Sequence, residues 1–138
     1  MFDCVFTQFP HCDVTNPELF TIELDGKTLR NVLESNLEQV YSSDPFDQKG
    51  GYILRSSGLN MTYKPYNPKG HRIQSLQIAG ENIDLNKEYK IVSAGGQLFK
   101  KFEEKKEYQR IKAVDAIKNY LDKTGHFKVE KGSDIVSV

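Results

Sequence analysis

Apolar and polar positions along this chain alternate with a period of two in several short runs, the pattern of strands that bury one face. Phe2, Cys4 and Phe6 fall on one side and Val5 on the other, which predicts a first or edge strand over residues 2–8. Phe9-Pro10 ends it, because proline has no N–H to give a ladder. Residues 11–17, rich in turn formers, read as a loop. The pattern resumes with Phe20, Ile22 and Leu24 on a buried face. The densest series runs from Gly50 to Val92, where apolar runs at 51–57, 59–63, 71–79 and 88–94 are separated by turn residues. These runs predict consecutive strands of one sheet. Gly58 would relax the chain as a bulge, and residues 64–70 would form a long hairpin connection.

Two segments switch to helical spacing. Leu29, Val32, Leu33, Leu37, Val40 and Tyr41 recur at that period as far as Ser42, with Lys27, Arg30, Glu34 and Glu38 on an opposite face that reads as solvated. Ile111, Val114, Ile117 and Leu121 predict a second helix from Arg110, with Gly125 as its C-cap. Between them, residues 103–110 read as an exposed turn or helix end, and residues 127–130 and 135–138 have short strand character. The fold class expected is α+β, a mixed β-sheet with two main helices packed on it, in a single domain over residues 1–138. No repeat, linker or low-complexity tract divides the chain.

Composition changes this picture little. A chain of 138 residues buries roughly 68% of its unfolded surface and needs no staple. Lys plus Arg and Asp plus Glu both number 19, and they are scattered, so no basic stripe invites nucleic acid. No apolar run reaches the length of a membrane span, and the first residues lack the pattern of a secretory leader. The stretch thus reads as a soluble segment. Because it begins directly in strand sequence, a fragment of a longer chain is an equal expectation.

Catalytic signatures are mostly missing: no nucleophile elbow, phosphate loop, dinucleotide fingerprint or His-Glu-x-x-His occurs. Glu103-Glu104 lies in surface-type sequence where raised carboxyl pKa values are not expected. Cys4, His11 and Cys12 form a conceivable metal set, but structural zinc takes four ligands, and His71 and His126 are far off in sequence. Arg55, in mid-strand, must reach either solvent or an anion, since an unpaired buried guanidinium is costly. Gly95-Gly96-Gln97 at the end of a strand permits a tight turn or close backbone approach to a ligand.

Three ordered segments carry a resemblance. Residues 24–34 (Leu-Asp-Gly-Lys-Thr-Leu-Arg-Asn-Val-Leu-Glu), residues 51–63 with their Gly, apolar run and Ser-Gly-Leu, and Gly70-His-Arg-Ile followed by Gly80 and Tyr89-Lys-Ile-Val92 resemble the 5'-nucleotidase C-terminal domain family. Asp115 to Gly125 is similar to its closing helix. The resemblance covers the chain from about Val14 onward. It implies the C-terminal half of a two-domain hydrolase acting on nucleotides or related phosphate esters. The N-terminal half would be a metallophosphoesterase domain holding two divalent metal ions and the catalytic set, with no cofactor and no catalytic residue in the present chain. It also implies a longer protein of a family whose members are often exported; the scattered charge and short apolar runs lead to the expectation of neither nucleic acid nor membrane as partner.

The resemblance places a nucleotide-like small molecule near Gly95, Gly96, Gln97 and Phe99, with Phe9, Pro10 and His11 as a neighbouring loop, and the mid-strand Arg55 is a further candidate for an anion contact. The glycine loop is shorter than in family nucleotidases, Gln97 stands where they carry Asp, and only Phe99 matches a closing aromatic. In this shortening, and in residues 44–51, the chain is similar to sulfur-oxidation relatives, whose substrates are not nucleotides. A non-catalytic binding module and a small metal protein are the other readings.

Overall fold

The computed structural model describes residues 4–7, 16–49, 51, 53–95, 98–126 and 134–138. The side chains of residues 4–7 are outside that description, as are residues 8–15 and 127–133, which include the predicted strand at 127–130. The chain runs β1 (Cys4–Thr7), β2 (Glu18–Asp25), α1 (Gly26–Tyr41), β3 (Arg55–Ser57), β4 (Leu59–Tyr63), β5 (Ile73–Ile78), β6 (Glu81–Asn82) and β7 (Glu88–Ala94). It continues through a 3-10 turn (Lys100–Lys105) to β8 (Glu107–Lys112), α2 (Ala113–Thr124) and β9 (Ile135–Ser137). The expected α+β class with mixed pairing is what the structure has.

The single sheet expected from Gly50 to Val92 is instead two. One has the order β3-β1-β7-β2-β8 and the other β6-β5-β4-β9. The chain passes from the first to the second at Gly58, whose φ of +83° only glycine adopts freely. The predicted bulge is thus a crossing between sheets. Both sheets contain one parallel contact, β1 with β7 and β4 with β9, among antiparallel ones. The hairpin over residues 64–70 joins antiparallel β4 and β5, as its turn residues predict.

One apolar cluster binds the two sheets and α1 together. It takes Phe20, Ile22 and Leu24 from β2, Leu29, Leu33 and Leu37 from α1, Leu59, Met61 and Tyr63 from β4, Ile73, Leu76 and Ile78 from β5, and Tyr89 and Ile91 from β7. Burying such side chains contributes about 1.5–3 kcal/mol each, which is what sets α1 across the interior. Asp25 caps that helix, its carboxylate accepting the Thr28 N–H at 2.9 Å, and hydrogen bonds from the Thr28 side chain first and its backbone N–H second hold the Asp25 carboxyl below its ordinary value.

The first residue of α1 has a tight neighbour. Gly26 N–H donates to Lys87 O at 3.0 Å, Lys27 N–H donates to Leu85 O at 3.1 Å, and a Cβ on Gly26 would lie 2.2 Å from Asp84 O. Gly26→Ala is therefore expected to lower the unfolding free energy by about 1–3 kcal/mol. Urea denaturation checks this, and a midpoint unchanged from the parent chain would contradict it.

The charged face of α1 departs from its expected solvation. Glu34 is buried, its two carboxylate oxygens accepting the N–H groups of Arg72 at 3.1 Å and Ile73 at 2.9 Å. Arg72 is buried as well. Its guanidinium pairs with Glu38 and donates to Pro65 O at 2.9 Å and Tyr41 O at 3.0 Å. The β4–β5 hairpin thereby locks onto α1 through polar groups that periodicity assigns to solvent.

At the same junction Tyr63 meets Tyr41, oxygen to oxygen at 3.1 Å. Burial first, then the hydrogen bond and charge of Tyr41, push the Tyr63 phenol up to about 12 against a smaller opposing pull from Ser137. An unfolded phenol titrates near 10. Above pH 10 the unfolded chain therefore releases a proton that the folded chain still holds, so this stabilisation is intact below pH 10 and is lost as pH rises toward 12. Melting temperatures are expected to fall across that window, and to fall less in Tyr63→Phe. Parallel pH profiles for the two chains would contradict the assignment.

The second helix begins later than its periodicity suggests and packs less. Arg110, Ile111 and Lys112 belong to β8, an edge strand whose polar sequence masks it. The helix start is set from outside: Ala113 N–H donates to Pro17 O at 2.9 Å and Val114 N–H to Asn16 Oδ1 at 2.9 Å. Gly125 ends it with φ of +72°, the predicted C-cap. Ala113 is buried, yet Val114, Ile117, Tyr120 and Leu121 keep 51%, 53%, 51% and 40% of their surface exposed. Of the two α-helices among the described residues, α1 is the core helix and α2 is carried at the sheet edge. Among the described residues no helix is long and apolar enough to cross a membrane.

Candidate functional site

The parallel pairing of β1 and β7 sends both strands toward the same end of the five-stranded sheet. Thr7 is level with Ala94 of β7 and with Arg55 of antiparallel β3, so the last residue of each parallel strand and the first of β3 form one row. Leu19 of β2 extends the row, since it pairs with Ala94. The chain leaves β1 into residues 8–15 and leaves β7 into residues 95–97 from adjacent points of this row. Loops at the carboxyl ends of parallel neighbours are where open sheets place ligands. Phe9, Pro10, His11, Gly96 and Gln97 lie outside the described residues, and the row marks where the strands leading to them end.

Three sequence-predicted positions are described. Gly95 has φ of +91°, a backbone that favours glycine, and starts the turn out of β7. Arg55 is exposed, with the solvent access its charge requires. Phe99 is fully buried, its ring edge-on to Phe20 at 6.2 Å between centroids. Its ring therefore packs in the core, where the resemblance implied a face turned to a ligand. The row brings Arg55 and Gly95 to one end of the sheet.

The next level across the strands is Ser56, Phe6, Ser93, Phe20 and Tyr108, each paired in register with its neighbour. Ser93 is buried, and Ser56 Oγ is the buried side-chain oxygen without a hydrogen-bond partner among the described residues. Lys106 sits 4.7 Å from the Phe20 ring centroid and donates to Glu103 Oε2 at 2.6 Å, while Tyr108 donates its hydroxyl to Glu103 Oε1 at 2.7 Å. The bond from Lys106, then that from Tyr108, holds the Glu103 carboxyl below its ordinary range; the same contact raises the Tyr108 phenol. Glu103 is thus a paired carboxylate with no proton to give at neutral pH. The Glu103 contacts are local, whereas Phe20 joins Lys106 and Tyr108 only when β8 pairs with β2.

Among the described residues, no three His, Cys, Asp or Glu side chains gather as a metal set. His11 and Cys12 lie outside them. A cleft of about 390 Å³ runs along the outer side of α1, lined by Asn31, Ser35, Gln39, Asp47, Lys49 and Lys69 among others. It includes none of the sequence-predicted site residues.

Residues 8–123 match the family model described as 5'-nucleotidase, C-terminal domain. Among solved structures, the chain is similar to the sulfate thiohydrolase SoxB of Thermus thermophilus in complex with glycerol, at 24% identity and a TM-score of 0.80 over 99% of this chain and 29% of that one. It is similar to a 5'-nucleotidase precursor, also of Thermus thermophilus, at 15% identity and a TM-score of 0.72, over 99% and 32%. The NAD nucleotidase of Haemophilus influenzae gives 16% and 0.75, over 99% and 30%. The chain spans about a third or less of the length of these three proteins. At such identities the likeness speaks for the fold. No curated protein sequence matches the chain.

Proposed function

The chain belongs to the 5'-nucleotidase C-terminal domain family, and from that premise we propose that it is the substrate-recognition part of a 5'-nucleotidase-like hydrolase. In this reading the reaction takes place on an N-terminal metallophosphoesterase domain holding two divalent metal ions, which supply an activated water and neutralise charge on the departing group. The present chain binds the non-reacting part of a nucleotide or related anionic ester. The observation that carries the reading is the convergence of β1, β7 and β3 at one sheet end, with Gly95 and Arg55 on its rim. Phe9, Pro10, His11, Gly96 and Gln97 complete the ligand side in this proposal.

A second reading rests on Phe99. With that ring in the core, the shortened glycine loop offers no described aromatic face to a base, which favours a smaller, non-nucleotide ester of the kind handled by sulfur-oxidation relatives. The backbone amide signals of Gly95 and Arg55 distinguish the two. Titration with adenosine monophosphate is expected to shift them if the ligand is a nucleotide, and thiosulfate alone is expected to shift them in the second case. Hydrolysis of nucleotides by the purified 138-residue chain with added divalent metal would refute the division of labour itself.

A further inference from the structure

We propose that Arg110 is an additional specificity-determining residue that contacts an oxyanion of the ligand from the β8 side, an inference that rests on the ligand-binding reading above. Among the described residues, two other than glycine hold a left-handed backbone, Ala79 with φ of +52° and Arg110 with φ of +55°. Ala79 is explained by its place. Beside Gly80 at φ of +84°, it forms the two-residue connection of the β5–β6 hairpin, which demands positive φ at both positions. Arg110 has no such turn to serve. It sits inside β8, where the register against β2 shifts between Glu18 and Phe20.

That shift is a bulge, and bulges re-aim a side chain at the cost of ladder bonds. Here the displaced Arg110 N–H is recovered by Glu18 Oε1 at 2.8 Å, so the side chain of Glu18 is spent on holding the irregular backbone. Glycine would occupy this conformation without strain. Holding a β-carbon there is a stored cost, and such costs mark positions where the side chain is used. The Arg110 side chain is exposed and makes no ion pair among the described residues.

Its position supplies the use. Tyr108 is level with Phe20 and Lys112 with Glu18, which leaves Gln109, Arg110 and Ile111 opposite Leu19 with Arg110 at their centre, and Leu19 is level with Ala94. Arg110 therefore stands in the same row as Arg55, Thr7 and Ala94, two strands from β7, or about 10 Å at the usual strand spacing. One guanidinium borders the row on each edge of the sheet, with the exit of β7 into Gly95 between them. A guanidinium recognises carboxylate, phosphate and sulfur oxyanions through paired N–H donors, so the ligand class implied is an ester bearing more than one anionic oxygen.

The test uses Arg110→Gly and Arg110→Asn in the 138-residue chain, two residues that accept the left-handed backbone. Calorimetric titration employs adenosine monophosphate, inorganic phosphate and thiosulfate. At least one probe is expected to bind the parent chain, to bind both variants about tenfold more weakly, and to lose part of its salt dependence. Melting temperatures of the variants are expected to equal or exceed that of the parent. Unchanged affinity in the variants would overturn the role of Arg110 and leave the ligand-binding reading standing. Lower melting temperatures in both would overturn it too, by showing that the side chain serves the fold. Failure of all three probes to bind the parent chain would overturn both proposals together.

Discussion

Replacing Phe99 by alanine is expected to lower the unfolding free energy by about 3–5 kcal/mol, the usual cost of emptying a fully buried aromatic site. Phe99 has no exposed surface, and its ring meets Phe20 edge-on at 6.2 Å, a contact that adds to the area term. Phe20 is itself covered by Tyr108 at 5.9 Å and by the Lys106 ammonium at 4.7 Å, so the cavity has little freedom to collapse. Chemical denaturation of Phe99→Ala against Phe99→Leu measures the effect. A loss below about 1 kcal/mol, accompanied by weakened ligand binding, would instead show a ring that serves the ligand. The two outcomes separate a core anchor from a stacking platform, which the sequence alone leaves equivalent.

Arg72→Ala is expected to be of similar size, about 3–5 kcal/mol, because removing one member of a buried ion pair leaves the other charge uncompensated. Glu38 would lose its partner, and the carbonyls of Pro65 and Tyr41 would lose their donors. The Arg72 backbone N–H, bound to Glu34, survives the substitution. Thermal and urea unfolding of Arg72→Ala test this, with Glu38→Gln as a milder companion that keeps a hydrogen-bond acceptor. If Arg72→Ala unfolds like the parent chain, the hairpin is held to α1 by apolar contacts alone. A double replacement of Arg72 and Glu38 by apolar residues of similar volume should recover much of the loss, since paired charges and packed hydrocarbon are nearly equivalent in such sites.

What could be read in advance follows from period and from turn chemistry. Phe20, Ile22 and Leu24, the α1 stripe from Leu29 to Leu37, and the pair of runs around Leu59 and Leu76 all lie in the core as their spacing predicts. Gly125 caps α2 for the same local reason. The family resemblance was legible too, because it is spread over ordered local segments. By contrast β8 was hidden, since an edge strand can be polar throughout, and Ile111 was drawn into the helix pattern by its neighbours. Glu34 and Glu38 read as solvated because helical periodicity ranks residues by polarity and carries no information about a distant arginine.

Arg55 and Gly95, which lie at one sheet end, were singled out from local chemistry, a charged residue in a strand and a glycine at its end. The left-handed backbone of Arg110 was not legible, because the sequence shows one cation among several and says nothing of φ. Phe99 was assigned by resemblance, and its orientation came from packing.

The sequence by itself determined the class of fold, the helix α1, its hairpin and its family, all properties set by interactions between residues near in the chain. Tertiary structure alone decided that Gly58 carries the chain between two sheets and that β1 lies parallel to β7. It also set Glu34 and Glu38 against the hairpin at Arg72 and Ile73, and aligned Arg55, Gly95 and Arg110 along one sheet end. Those outcomes depend on register and pairing between segments tens of residues apart, whose energy is shared by whole strands and is written in no single local pattern.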